Sequence, residues 1–442
     1  MGRKRDRYLR VIHPHCAGID IGGKEHFVAL DPQVCETPVR RFGCFTDELE
    51  AMGRWLLDCG VTTVAMESTG VYWIPVYELL ERMGLEVHLV DSRASRRISG
   101  RKSDVLDCQW LWQLMSYGLL RSAFRPADAV CELRAYVRQH ARIVAERART
   151  VQHMHKALTQ MNIQVHTVLS DMTGKTGMRI LRAIDAGERD GAVLARFRDP
   201  RVKASTEMLA RSLQGNWRDE HLFSLHQALE SYDLHCRQLK DCERAIARTA
   251  AKLSTGEVLD DLDEGNCAKH IGEAVCQLLG VDLTAIPSIG PDTALLIASE
   301  LGTDLSRFES MAHFCSWLNL APPTNISGGK KLPGRSNRAT PNRIGQALLR
   351  CAVNARQSKT FIGAAHRSRL RRLDKPRAIK ATAHQLARLI YAMLTKGEEY
   401  VERGMAAHDE VRQQRELKAL TSRANKHGYV LVKKDLQSTA CG

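Results

Sequence analysis

No run of apolar residues in this 442-residue chain approaches the roughly 20 that a membrane-spanning helix needs. The opening MGRKRDRYLR leads into no apolar segment of a secretory leader. A cytoplasmic protein with no membrane span is therefore expected. No C-x-x-C spacing occurs among the 13 cysteines, and an odd number cannot all pair internally. Reduced, mostly buried thiols are predicted rather than a disulfide framework or a zinc site. Familiar nucleotide and hydrolase signatures are missing too. Gly174-Lys175-Thr176 ends like a phosphate-binding loop, but Leu169 stands where its first glycine belongs. Gly18, Gly22 and Gly23 lack the dinucleotide-binding spacing, and there is no G-x-S-x-G elbow. His384, Arg388 and Tyr391 hint at a tyrosine recombinase, yet they share one face of an amphipathic segment, so core packing is expected of them.

Acids are nearly absent from one region. Residues 321–380 hold 15 lysines and arginines against a single acid, Asp374, so this window carries +14 of the chain's net +15. A solvated face ordinarily mixes the two signs. A concentration of one sign matches a phosphate backbone, because displacing its condensed counterions drives association. Nucleic acid is the predicted partner, with Lys330, Lys331, Arg335, Arg338, Arg343, Arg367, Arg369, Arg371 and Arg372 as candidate contacts.

The first 120 residues read as α/β. Residues 16–22 and 26–30 are short apolar runs separated by Gly22-Gly23, a hairpin signal. A third strand is predicted near 39–45 and a helix over 48–59. Residues 61–66 (VTTVAM) have the composition of a strand buried on both faces, and 86–90 repeat it after a helix near 76–83. A mixed sheet with packed helices follows. Residues 128–160 and 217–252 are long helical stretches without proline, predicted to pair as an antiparallel coil, with short helices between them. Residues 283–302 resemble one helix-hairpin-helix turn, in which Gly290 would let backbone amides approach a phosphate; an ordinary helix start after a loop reads equally well. Residues 321–342 are rich in Gly, Pro, Ser and Asn and read as a loop, followed by basic helices near 342–358 and 376–396.

Four acids stand out in the α/β part. Asp20 lies within an apolar strand, Glu67 ends another, and Asp104 and Asp107 are three apart in a helical stretch, which puts both on one face. Acids in apolar strands are costly unless paired or bound to a cation. Converging carboxylates can hold two Mg2+ ions about 3.5–4 Å apart for phosphoryl transfer. Each acid alone also reads as a hydrogen-bonded strand residue or a helix-start charge, and Asp91 reads as a helix cap. Ser327 lies in NISGGKK within the basic window; surrounding cations would stabilise its alkoxide and a pentacovalent phosphate. Ser-Gly in a loop is usually an ordinary turn.

GIDIGGKEHFVAL, AMESTGVYWIPVYELLE, GRKSDVLDCQWL, IPSIGPDTALLIASELG and WLNLAPPTNISGGKKLPGR, in this order, resemble the insertion-sequence one-ten family of DEDD transposases over nearly the whole chain. The resemblance implies residues 1–125 as a RuvC-like DEDD domain of ribonuclease H fold and 126–255 as a coiled-coil region. It also implies 283–400 as a mainly helical transposase domain; composition alone reads acidic, glycine-containing 256–282 as a linker and 401–442 as a charged extension. It matches the four acids to Asp20, Glu67, Asp104 and Asp107, which would bind Mg2+, and the catalytic serine to Ser327. It further implies a phosphoserine link to DNA and a structured bridge RNA that pairs with target and donor DNA. Dimers would assemble into a tetramer whose sites combine domains of different subunits. The sequence departs from the commoner pattern at Lys102-Ser103-Asp104, where many members have Thr in the middle, and after Ser327, where the basic stretch is longer. Ser336 is a weaker rival nucleophile without the Ser-Gly context. Two other readings compete: a metal-dependent Holliday-junction-type nuclease using the acids alone, and a decayed, non-catalytic DNA-binding protein.

Overall fold

The computed structural model describes residues 10–68, 70–90, 104–120, 122–256, 265–322, 326–327, 330–331 and 342–432. The chain divides into two units, Met1–Arg125 and Pro126–Gly442. In the first, β1 (Cys16–Ile21) and β2 (Glu25–Ala29) form the hairpin that Gly22-Gly23 predicts, closed by the Gly22 amide donating to the Glu25 carbonyl at 3.1 Å. β3 (Val39–Gly43) continues it antiparallel. Helix α1 (Thr46–Asp58) carries the chain to β4 (Thr63–Glu67), and α2 (Trp73–Arg82) carries it on to β5 (Glu86–Val90). β4 pairs parallel with both β1 and β5, giving the order β3-β2-β1-β4-β5. This mixed five-stranded sheet is compatible with the ribonuclease H fold.

Period-two alternation sends the strand side chains to opposite faces. Ile19, Ile21, Val64 and Met66 pack against Leu49, Met52 and Leu56 of α1 and Val76 and Leu80 of α2. The intervening residues Cys16 and Ala65 meet Leu111 and Met115 of α3 (Asp104–Ser116) on the other face. Each buried Ile, Leu, Val or Met among them contributes about 1.5–3 kcal/mol. Gly18, two residues before Asp20 on the α3 face, lets helix and strand touch backbone to backbone. A Cβ there would overlap the Trp112 amide nitrogen and the Cys108 carbonyl oxygen and lie 2.9 Å from the Leu111 carbonyl carbon. Backbone cannot yield as a flexible side chain can. Gly18→Val is therefore expected to destabilise this unit by about 3 kcal/mol. A shifted denaturant midpoint would register it, and an unchanged one would show that α3 is not held against β1.

The second unit starts with α4 (Asp128–Gln160). Short helices α5 (Lys175–Asp185), α6 (Gly191–Ala195) and α7 (Thr206–Ser212) precede α8 (Asp219–Thr255). Leu133 and Val137 of α4 pack with Ile246 and Ala250 of α8, whereas Met154 and Leu158 pack with Leu225 and Leu229. The long pair is thus antiparallel. Within the predicted linker over 256–282, residues 257–264 lie outside the described residues, and α9 (Cys267–Leu279) is a regular helix. Its Cys267, Ala274 and Val275 form a buried stripe that the preceding acids had masked in the sequence.

Helices α10 (Pro291–Leu301) and α11 (Met311–Trp317) lead to two very short strands, β6 (Ile326–Ser327) and β7 (Lys330–Lys331). Then come α12 (Arg343–Asn354), α13 (Phe361–Leu370), α14 (Lys375–Lys396) and α15 (Glu398–Lys426). Ile297, Phe314, Leu348, Ile362, Leu386 and Ile390 share the core of this region. Buried Glu300 on α10 accepts from Arg138 Nε at 2.8 Å and Nη2 at 2.6 Å, fastening α10 to α4. Tyr391 packs against the core as the sequence predicts, its hydroxyl donating to the Phe308 carbonyl at 3.2 Å. No helix among the described residues is long and apolar enough to cross a membrane.

Candidate active site

Asp20 and Glu67 are brought together by strand register. β1 and β4 pair in parallel as far as Ile19 opposite Met66, so the next step along each strand reaches Asp20 and Glu67 at the C-terminal ends of neighbouring strands. Both are half-buried. Alternation puts them on the face that α3 covers, since Gly18 and Ala65 precede them by two. Asp104 opens α3, and Asp107 follows one turn before Leu111, which packs on the sheet. The approach at Gly18 thus sets the first turn of α3 beside the two strand ends. Cys108 reports the resulting field: burial, then the Asp20 carboxylate, then Asp107 more weakly, push its thiol up to about 12. That thiol stays protonated and donates to the Val105 carbonyl at 3.1 Å.

Carboxylates alone make a hard oxygen donor set, the kind Mg2+ takes. Asp20, Glu67 and Asp107 supply donors of that kind, but among the described residues no three His, Cys, Asp or Glu are gathered closely enough to hold an ion. Asp91, predicted to cap a helix, and Lys102-Ser103 lie outside the described residues.

Ser327 is not in an irregular loop. It ends β6, and the hairpin register sets Ile326 opposite Lys331 and Ser327 opposite Lys330, with Gly328-Gly329 between the strands. The segment around the hairpin is anchored at both ends. The Leu320 amide donates to the Cys315 carbonyl at 3.1 Å. Asn342 caps α12 by accepting from the Gly345 amide at 3.1 Å and donates to the Trp317 carbonyl at 3.3 Å. The acids belong to the first unit and Ser327 to the second.

The predicted phosphate contacts divide by environment. Arg335, Arg338 and the rival Ser336 lie outside the described residues. Arg343 opens α12, its Nε 3.7 Å from Glu300. Arg367 donates from Nη1 to the carbonyls of Arg356 and Ser358 at 2.9 and 2.7 Å. Half-buried Arg369 binds Thr382 Oγ1 at 3.0 Å and Gln385 Oε1 at 2.6 Å. These three arginines also hold the unit together, whereas Arg371 and Arg372 are exposed. Sequence reading missed Gly18 as the contact that sets α3; a glycine two residues before a strand acid, on the same face, was the available signal.

Two family models match the chain. A DEDD transposase model of IS110 type, described as "Transposase", matches residues 17–163 and spans all four acids. A second, described as "Transposase IS116/IS110/IS902 family", matches residues 282–369 and spans Ser327 and most of the basic window. Together they cover more than half of the chain. No curated protein matches it significantly.

Proposed function

The chain belongs to the IS110 family of transposases, and on that premise we propose that it exchanges DNA strands through a phosphoserine link made by Ser327, with Asp20, Glu67, Asp104 and Asp107 as the acidic half of the site. The observation that carries this reading is the register that places Asp20 and Glu67 side by side, one step past the parallel pair Ile19–Met66, near the first turn of α3. When bound there, one or two Mg2+ ions would neutralise charge at the scissile phosphate. The Ser327 hydroxyl attacks phosphorus and the P–O bond to the departing strand breaks, the serine's proton passing through water to the departing oxygen. The hydroxyl of a second strand then attacks the phosphoserine, and Ser327 leaves with its proton restored. Lys330, opposite Ser327 in register, and Lys331 contribute positive charge to the pentacovalent phosphorus.

Sequence choice in this reading belongs to a structured bridge RNA that pairs with target and donor DNA, while the protein grips backbones, as in other RNA-guided systems. The +14 window supports a polyanionic partner of that size. The chain's long α4–α8 pair serves as the coiled-coil connector, and the turn before α10, where Ser288 has φ +77°, as a helix-hairpin-helix contact to backbone phosphate. Acids and serine lie in separate units, which agrees with composite sites shared between subunits of a dimer that assembles into a tetramer.

The test is covalent trapping: protein, RNA from the element's end and labelled target and donor DNA are incubated with Mg2+ and denatured. A protein–DNA adduct is expected. Clean Mg2+-dependent cuts without an adduct would instead favour a nuclease that uses the acids alone. Binding has its own expected result. Replacing exposed Arg371 and Arg372 together by Ala should weaken DNA binding across sequences and flatten the salt dependence by about 1.8 in log–log slope, about 0.9 per lost phosphate contact. An unchanged slope would remove these two side chains from the interface.

A further inference from the structure

Helices α12, α13 and α14 and the turn after α12 border a half-open cavity of about 300 Å³, lined by Val353, Arg356, His366, Leu370, Lys375 and Ile379. Neither the acids nor Ser327 takes part in it. Its polar wall is held firmly. Buried His366 sits with Nδ1 2.9 Å from Thr382 Oγ1, and that hydroxyl donates to the Ala378 carbonyl at 3.0 Å. Arg369 Nη1 also donates to that hydroxyl, at 3.0 Å, so the Nδ1 edge of the imidazole is held in place. Burial, then the charges of Arg369, Arg356 and Arg367, hold His366 below the ordinary imidazole range, so this wall is uncharged at neutral pH. Exposed Val353 and half-buried Leu370 and Ile379 supply the apolar part of the lining.

Two cations stand at the open side. Arg356 and Lys375 are both exposed, and among the described residues neither is in a salt bridge. Arg367 fixes the 3-10 turn (Ala355–Gln357) that carries Arg356, through its bond to the Arg356 carbonyl. Asp374, the one acid of residues 321–380, is turned to other work: it caps α14 by accepting from the Arg377 amide at 3.0 Å and pairs with Arg377 Nε at 3.5 Å. The cations at the mouth thus keep their charge for a ligand.

A free phosphate would satisfy the cations but leave the apolar lining uncovered, and an apolar side chain would do the reverse. A nucleotide has both parts. The volume stands at the small end of ligand pockets, which run about 300–1,000 Å³. We propose that this cavity receives one unpaired nucleotide of the bound nucleic acid, its base among Val353, Leu370 and Ile379 and its phosphate on Arg356 and Lys375. Bulges, loops and junctions offer such nucleotides at the least unstacking cost. The inference rests on the nucleic-acid reading above, and its test separates the two.

Full-length protein is titrated with a fully paired duplex and with the same duplex bearing one extrahelical 2-aminopurine, in a DNA series and an RNA series. The unpaired probe should bind about tenfold tighter in at least one series, with a change in 2-aminopurine fluorescence. Val353→Trp, at a partly exposed position that fills the cavity, should abolish both the preference and the fluorescence change while paired-duplex affinity stays. Arg356→Gln, at an exposed position, should reduce the preference independently of any packing defect in the first variant. A preference confined to one series identifies whether RNA or DNA supplies the nucleotide. Equal binding of paired and unpaired probes, or a preference untouched by both substitutions, would overturn the proposal. Failure to bind any probe would overturn the nucleic-acid reading with it.

Discussion

Asp20→Asn is expected to cut DNA strand cleavage and exchange about 1,000-fold or more while leaving DNA affinity within about twofold, because the charge stabilisation lost with a metal ligand is several kcal/mol and each 1.4 kcal/mol is tenfold in rate. The substitution keeps the shape of the side chain and removes only its charge. Asp20 sits at the end of β1 on the α3 face, where its carboxylate helps push the Cys108 thiol upward. The close approach at Gly18 is made by backbone atoms of Cys108, Leu111 and Trp112, so the sheet and helix should remain in place. Affinity is held elsewhere: the +14 window lies in residues 321–380, in the second unit. Single-turnover cleavage with Mg2+, alongside binding measured at fixed salt, checks both halves of the expectation. Full recombination by the variant would mean that Asp20 is an ordinary strand residue and that the acidic cluster is misassigned.

Ser327→Ala should remove the covalent protein–DNA adduct altogether, with RNA and DNA binding retained. Alanine has no hydroxyl to form the ester, and it preserves the two-residue pairing of β6 with β7 because a strand of this hairpin is joined through its backbone. Adjacent basic residues cannot substitute for the lost oxygen, since they supply charge and not a nucleophile. Denaturing electrophoresis of labelled DNA distinguishes the outcomes. An adduct that survives the substitution would move the nucleophile elsewhere. Cleavage that proceeds unchanged without an adduct in either protein would make the chain a nuclease and Ser327 a hairpin residue.

Several elements were legible because one local rule decided them. Gly22-Gly23 between two apolar runs gave the β1–β2 hairpin, and the uninterrupted 3.6-residue periodicity of residues 128–160 gave a helix with those same bounds. The strands in 61–66 and 86–90 appeared within a residue or two of their expected positions. Residues 267–279 were hidden, because the acids and glycines before them resemble a linker and a buried stripe of small residues such as Cys267 and Ala274 is a weak apolar signal. The β6–β7 hairpin was hidden for another reason: two-residue strands have no periodicity to read, and the Ser-Gly-Gly stretch fits any tight turn.

The sequence alone determined which residues could do chemistry, since carboxylates, a serine and a one-sided run of cations are covalent facts of the chain. It also determined a likeness to DEDD transposases, because motif order survives without coordinates. Tertiary structure decided which acids share a place: parallel pairing through Ile19 and Met66 makes neighbours of Asp20 and Glu67, 47 positions apart in the chain, and the missing Cβ of Gly18 lets α3 bring its first turn beside them. It likewise decided which arginines are bound within the fold and which face outward. Both outcomes depend on contacts between residues far apart in sequence, and local propensity carries no record of those.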